Sequence, residues 1–140
     1  MTCARVAGVS EAAVEIVRRQ YASFNAGDWD GALENVDPAM ELVAAPQSPL
    51  AGVYRGPEGV RAFLARVFEV YDQSQIRREP ERLDVLGDRV LAIVKVHARF
   101  QGSELELDER WADLWTVRGG RIVRLEVFTD PAEGLRAVGG

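Results

Sequence analysis

Glu109-Arg110-Trp111-Ala112-Asp113-Leu114-Trp115-Thr116-Val117-Arg118-Gly119-Gly120-Arg121-Ile122-Val123-Arg124-Leu125 is the stretch on which the fold turns. A run rich in Trp, Leu, Val and Thr meets a Gly-Gly pair, and a second β-branched run follows it. That is the pattern of two long strands joined by a tight turn. Leu86-Gly87-Asp88 and Gly102-Ser103 punctuate the chain upstream in the same way. The region beyond Gln73 therefore divides into a meander of four strands of about a dozen residues each. Pro80 falls in the first of them, which suits an edge strand or a bulge because proline cannot donate to a ladder.

Working back toward the start, the period changes from two to about 3.6. Ser10 reads as an N-cap with Glu11 in the first turn, and Val14, Val17, Tyr21 and Phe24 recur at helical spacing until Asn25-Ala26-Gly27. Asp28 can cap a second helix carrying Trp29, Ala32, Leu33 and Val36, ended by Asp37-Pro38. Met40 to Ala45 reads as a short strand. A loop marked by Pro46, Pro49 and Gly52 then returns through Val53, Tyr54 and Arg55. Gly56-Pro57 opens a third helix whose Val60, Phe63, Leu64, Val67, Phe68 and Tyr71 form one broad apolar face. Asp130-Pro131-Ala132-Glu133 combines a capping residue, proline at the first helical position and an acid two residues on, so a short closing helix starts there.

The 140 residues, 47% of them apolar, suit one globular domain. Residues 1–9 are expected to form an N-terminal tail and residues 10–138 the single domain. Seventeen Lys plus Arg against 22 Asp plus Glu give a net charge of −5, scattered along the chain, so nucleic acid is not an expected partner. No apolar run approaches the ~20 residues of a membrane span, and the opening MTCARVAGVS has no signal-peptide pattern. Neither a membrane partner nor export is expected, and the location is read as cytoplasmic. Cys3 and His97 are each the sole residue of their type, too few for a zinc site or a redox pair.

Helices followed by a long antiparallel meander define an α+β fold in which the helices cover one sheet face. Strands this long must twist and curl, and a curled sheet closed on one side by helices is a cone with a cavity at its mouth. Phe24-Asn25-Ala26-Gly27-Asp28, Tyr54-Arg55-Gly56-Pro57 and the run from Arg110 to Val123, continued by Phe128-Thr129-Asp130, resemble the SnoaL-like branch of the nuclear transport factor 2-like (NTF2-like) superfamily. The resemblance runs from about Ser10 to Val138. It implies a cone of about three N-terminal helices on a strongly curved, mainly antiparallel sheet with a short C-terminal helix. It further implies a homodimer and a small hydrophobic ligand, with no cofactor. Ketosteroid isomerases, scytalone dehydratases, limonene epoxide hydrolases, polyketide cyclases and non-catalytic binders share this fold, so the reaction is decided by the site.

Period-two alternation places Glu109, Trp111, Asp113, Trp115 and Val117 on one face of the fifth strand. An aspartate between two tryptophans is poorly solvated if that face is concave, and such a setting suits general acid or base work. Alternatively, Asp113 pairs with an arginine across the sheet, Arg99 or Arg124, and holds register. His97 alternates with Lys95 and Arg99, opposite Val94, Val96, Ala98 and Phe100. Its place in or out of the cavity depends on which face is inside. Asp130 corresponds to a family aspartate before the closing helix and is also an N-cap. Tyr21 or Tyr54 can present a phenolic donor to a ligand oxygen. Phe24, Trp29, Phe63, Phe68, Trp111 and Trp115 are candidate ligand-binding walls or core, and Tyr54 and Arg99 are candidate ligand contacts.

The expected catalytic set is thus Asp113, Tyr21, His97 and Asp130, with no metal. The expected function is binding of a small, largely apolar organic molecule, with cofactor-free proton transfer of the isomerase, cyclase or dehydratase type. The alternatives are a non-catalytic binding or dimerisation module and an epoxide hydrolase-like water activation by Asp113, Arg99 and Asp130. Asp37 and Glu41 lie near the position of the ketosteroid isomerase base, but no surrounding motif transfers that role.

Overall fold

A computed structural model describes residues 2–46, 48 and 50–139, with side chains from Glu11 onward. In chain order the elements are α1 (Thr2–Ala26), α2 (Trp29–Leu33), β1 (Val36–Ala44), β2 (Gly52–Arg55), α3 (Gly56–Val70), a 3-10 turn (Gln73–Gln75), β3 (Arg77–Leu86), β4 (Arg89–Arg99), β5 (Glu106–Arg118), β6 (Arg121–Phe128) and α4 (Pro131–Gly139). The six strands form one open mixed sheet in the order β2-β1-β6-β5-β4-β3. Every neighbouring pair is antiparallel except β1 with β6, which are parallel.

The predicted meander is present. Gly119 and Gly120 take φ of +58° and +76°, the two left-handed positions that a two-residue hairpin between β5 and β6 requires. Pro80 lies on the edge strand β3, where the register slips between Pro80 and Arg82. Asp130 accepts a hydrogen bond from the Ala132 backbone N–H at 3.0 Å and caps α4 as expected.

Three expectations are corrected. α1 begins ahead of Ser10, which sits inside the helix instead of capping it. α2 stops at Leu33 because Val36 pairs with Ile122 on β6, and Pro38 lies within β1 where its register against β6 shifts. The strand read as Met40 to Ala45 therefore starts four residues earlier. α3 buries only Gly56 and Val67 fully, while Phe63 and Leu64 stay half-buried on the wall of the hollow described below and Phe68 stays half-buried on an outer cleft. Pro49, expected in the loop before β2, lies outside the described residues.

Both faces of the central strands are covered. On the concave face Val90, Ala92, Val94 and Val96 of β4 meet Trp111, Trp115 and Val117 of β5 and Ala13, Val17 and Tyr21 of α1. On the convex face Leu91, Ala112 and Leu114 pack with Phe128 and Val138. Helix α4 lies so close there that a Cβ built on Gly134 would come 2.5 Å from the Ala112 Cβ.

Candidate functional site

Asp113 is fully buried on the concave face of β5, and its cross-strand partners are Ala92 on β4 and Val127 on β6. Neither can hydrogen-bond through its side chain, so the carboxyl group must find its partners beyond the two neighbouring strands. It finds two. The Tyr21 hydroxyl, from α1, donates to Oδ2 at 2.6 Å, and Arg78 Nη2, from the edge strand, donates to the same oxygen at 2.5 Å. The Tyr21 oxygen in turn accepts from Trp115 Nε1 at 2.9 Å, and the two rings meet edge to face at 5.6 Å. Burial first, and then the neighbouring Asp113 carboxylate, push the Tyr21 phenol well above the usual tyrosine range.

The start of β3 is aimed by Asn25. Its Oδ1 accepts from the Arg78 backbone N–H and its Nδ2 donates to the Arg78 carbonyl, both at 2.9 Å. Arg78 pairs with Val96, a concave-face residue, and so turns inward. Its guanidinium lies 5.7 Å from the centres of both the Tyr21 and Phe24 rings, an arrangement in which ring faces stabilise a cation. Asp113 Oδ1 and Arg78 Nε are buried and have no hydrogen-bond partner among the described residues.

Between α1, α3 and the sheet lies a hollow in two compartments. The first, about 60 Å³, is walled by Tyr21, Phe24, Trp29, Phe63, Arg78 and Trp115 together with smaller apolar side chains and Gln20. The second, about 30 Å³, is walled by Phe24, Phe63, Val67, Tyr71, Arg78 and Trp111 among others. Phe24, Phe63 and Arg78 belong to both walls, so the two rings divide the space while the guanidinium faces each part. Trp29 closes the outer side: it contacts Phe24 at 5.7 Å and Phe68 at 5.2 Å and also borders two open clefts outside.

The structure thus brings Tyr21, Phe24, Trp29, Phe63, Trp111 and Trp115 together around one space, with Asp113 buried beside it and bonded to Tyr21 and Arg78. It does not bring the others there. His97 points from the convex face into a charged surface depression with Arg77, Glu79, Lys95 and Asp108, and its Nε2 is 3.7 Å from Glu106. The apolar alternation of β4 turns Val94 and Val96 inward, which puts His97 outward with Lys95 and Arg99. Asp130 is exposed at the α4 cap, so an inward trio of Asp113, Arg99 and Asp130 does not form. Tyr54 packs on Phe63 at 5.1 Å, but its hydroxyl donates to the Leu50 carbonyl and accepts from Arg66, away from the hollow. Phe68 lines an outer cleft beside Trp29. The arginine that meets Asp113 is neither Arg99 nor Arg124, which is engaged by Glu41 and Glu126.

Arg78 is the residue that sequence reading missed. Its signal was slight: Arg78 and Pro80 alternate on an edge strand, and only the pairing with Val96 marks that side as inner.

Helices packed on one face of an open, six-stranded mixed sheet, with a short closing helix, are the fold of the NTF2-like proteins. Among these the chain belongs to the SnoaL-like domain family, whose match spans residues 17–125. The chain is 34% identical over 123 residues to the uncharacterized protein Rv0034 of Mycobacterium tuberculosis, covering 87% of this chain and 92% of that protein. Among solved structures, an NTF2-like protein of unknown function from Burkholderia pseudomallei superposes with a TM-score of 0.77 at 23% identity, over 92% of this chain and 98% of that one. A protein from Jannaschia sp. CCS1 named as a SnoaL-like polyketide cyclase superposes with a TM-score of 0.75 at 22% identity, over 93% of each chain. No helix among the described residues is long and apolar enough to cross a membrane.

Proposed function

We propose that the chain binds a small, largely apolar organic molecule in the hollow under α1, as a cytoplasmic homodimer that needs no cofactor. The observation that carries this reading is the composition of the wall. It is aromatic and aliphatic almost throughout, with a single guanidinium held in place by a buried carboxylate. Apolar surface supplies the driving force for binding, and a few polar groups set orientation. The two compartments are smaller than a typical ligand pocket of roughly 300 Å³ or more, so the ligand enters by moving Phe24 and Phe63 apart.

Native mass spectrometry of protein purified without added ligand tests this reading. Dimer mass with a retained small molecule is expected, and a bare monomer that binds no hydrophobic probe overturns it.

Cofactor-free proton transfer is a second reading, supported by the unpartnered Asp113 Oδ1. A carboxylate oxygen without a donor is an acceptor for a proton, and Arg78 can stabilise charge developing on a ligand oxygen. An Asp113→Asn variant that binds the retained molecule and releases it unchanged, as the natural protein does, identifies a binder and not an enzyme.

A further inference from the structure

The Arg78 guanidinium decides what kind of apolar molecule suits the hollow, given that the hollow is a ligand site entered past Phe24 and Phe63 as proposed above. Its central carbon lies 5.7 Å from the centres of both the Tyr21 and Phe24 rings, and Arg78 borders both compartments. A ring face attracts a cation through its quadrupole, most strongly where water is kept out. The Arg78 side chain is only 12% exposed, so these rings supply part of what water would otherwise give.

The two rings differ in how they are held. Tyr21 is tied through its hydroxyl to Asp113 and to Trp115. Phe24 has no polar tie, and together with Phe63 it forms the partition between the compartments. The cation itself is fixed: Nη2 donates to Asp113, and Asn25 holds the Arg78 backbone through both its N–H and its carbonyl. A ligand that opens the partition therefore draws Phe24 away from a guanidinium that stays in place. A saturated molecule fills the vacated volume without restoring the lost attraction, whereas an aromatic ring does both. From these observations we infer that the ligand carries an electron-rich aromatic ring, which takes the place of Phe24 against the Arg78 guanidinium. Burial of apolar surface alone makes no such choice.

Anisole, cyclohexyl methyl ether and pentafluoroanisole test the inference on the intact protein, by calorimetry at neutral pH. All three carry the methoxy group. The second has no π face, and in the third fluorine reverses the ring quadrupole while making the molecule more hydrophobic. Burial alone therefore ranks pentafluoroanisole above anisole. Attraction to the guanidinium is expected to put anisole ahead of both others by about three- to thirtyfold. That lead is expected to vanish in Arg78→Met, checked for folding by circular dichroism. Either of the other probes binding the natural chain as tightly as anisole overturns the inference while leaving the hollow as a ligand site, and this comparison stands even if the variant does not fold. A lead that survives in folded Arg78→Met comes from shape and overturns it too. Failure of all three to bind removes both the inference and the reading it rests on.

Discussion

The hydroxyl of Tyr21 donates to Oδ2 of Asp113 at 2.6 Å, joining α1 to β5 across 92 positions of sequence. This bond and the Arg78 contact make Asp113 a junction between the helical layer and the edge strand. Its burial is therefore compensated, and the polar group that reaches the hollow is the guanidinium it holds.

Removing the phenol oxygen tests that junction. Tyr21→Phe leaves Trp115 Nε1 without its acceptor and takes one of the two donors from Asp113. Each group stays buried, so the variant is expected to lose about 1–3 kcal/mol by urea denaturation. A loss no greater than that of an exposed substitution would mean that water replaces the hydroxyl.

The ion pair has a sharper signature. With side chains 12% and 0% exposed, Arg78 and Asp113 are sequestered from solvent, and Arg78→Met strands a buried carboxylate at an expected cost of about 3–5 kcal/mol. Adding Asp113→Asn removes the stranded charge while keeping an acceptor for Tyr21. The double variant should thus be more stable than Arg78→Met alone, by about 1 kcal/mol or more in a double-mutant cycle. Strict additivity would show that the contact carries no coupling.

Alkaline pH reads the same cluster through Tyr21. The folded state holds this phenol protonated to higher pH than the unfolded chain, whose tyrosines titrate near 10. Above that value the native state binds more protons than the unfolded state. The contribution is thus complete below about pH 10 and is lost as pH rises beyond it. Tyr71, raised by its own burial and by Glu109, acts in the same direction. Denaturation midpoints should fall from neutral to strongly alkaline pH, and Tyr21→Phe should flatten part of that slope. An unchanged slope in the variant would place the titration elsewhere.

How much of this was readable beforehand follows from how local each signal is. Gly119-Gly120 and Asp130-Pro131 act within a few residues, and both turn and cap form as read. The same local rules misassigned Val36, whose helical spacing from Trp29 was overridden by pairing with Ile122 on a strand far along the chain. The faces of Tyr21 and Asp113 were each legible from period alone, whereas their meeting required the helix to be docked. Arg78 was hidden for a further reason. It stands beside Arg77, and the register of β3 on β4, with its slip after Pro80, decides which of the two arginines turns inward.

Asp130 separates a structural role from a chemical one. It is exposed, accepts from the Ala132 N–H and stands outside the hollow. Asp130→Ala should cost about 1 kcal/mol through the lost cap and leave probe binding unchanged, whereas Asp130→Ser, which can still cap, should recover the stability. Loss of binding in both variants would return Asp130 to the site.

Trp29 is placed to control access to the hollow. It forms part of the inner wall and borders both outer clefts, whereas Leu64 and Phe24 each border one of them. Its short helix follows Gly27 and is held by Asp28, which accepts from the Gly31 N–H at 3.0 Å, and by Gln20, whose Nε2 donates to the Ala32 carbonyl at 2.9 Å. If the indole closes the mouth, Trp29→Ala should let a small neutral quencher such as acrylamide reach Trp115 behind it. Trp29→Phe lacks the same fluorophore but keeps a ring there, so the two variants differ only in whether the opening is filled. Quenching of the remaining tryptophans is expected to be about two- to fivefold stronger in Trp29→Ala than in Trp29→Phe, as expected when a gating side chain is lost. Equal quenching would mean that Trp29 does not close the mouth of the hollow.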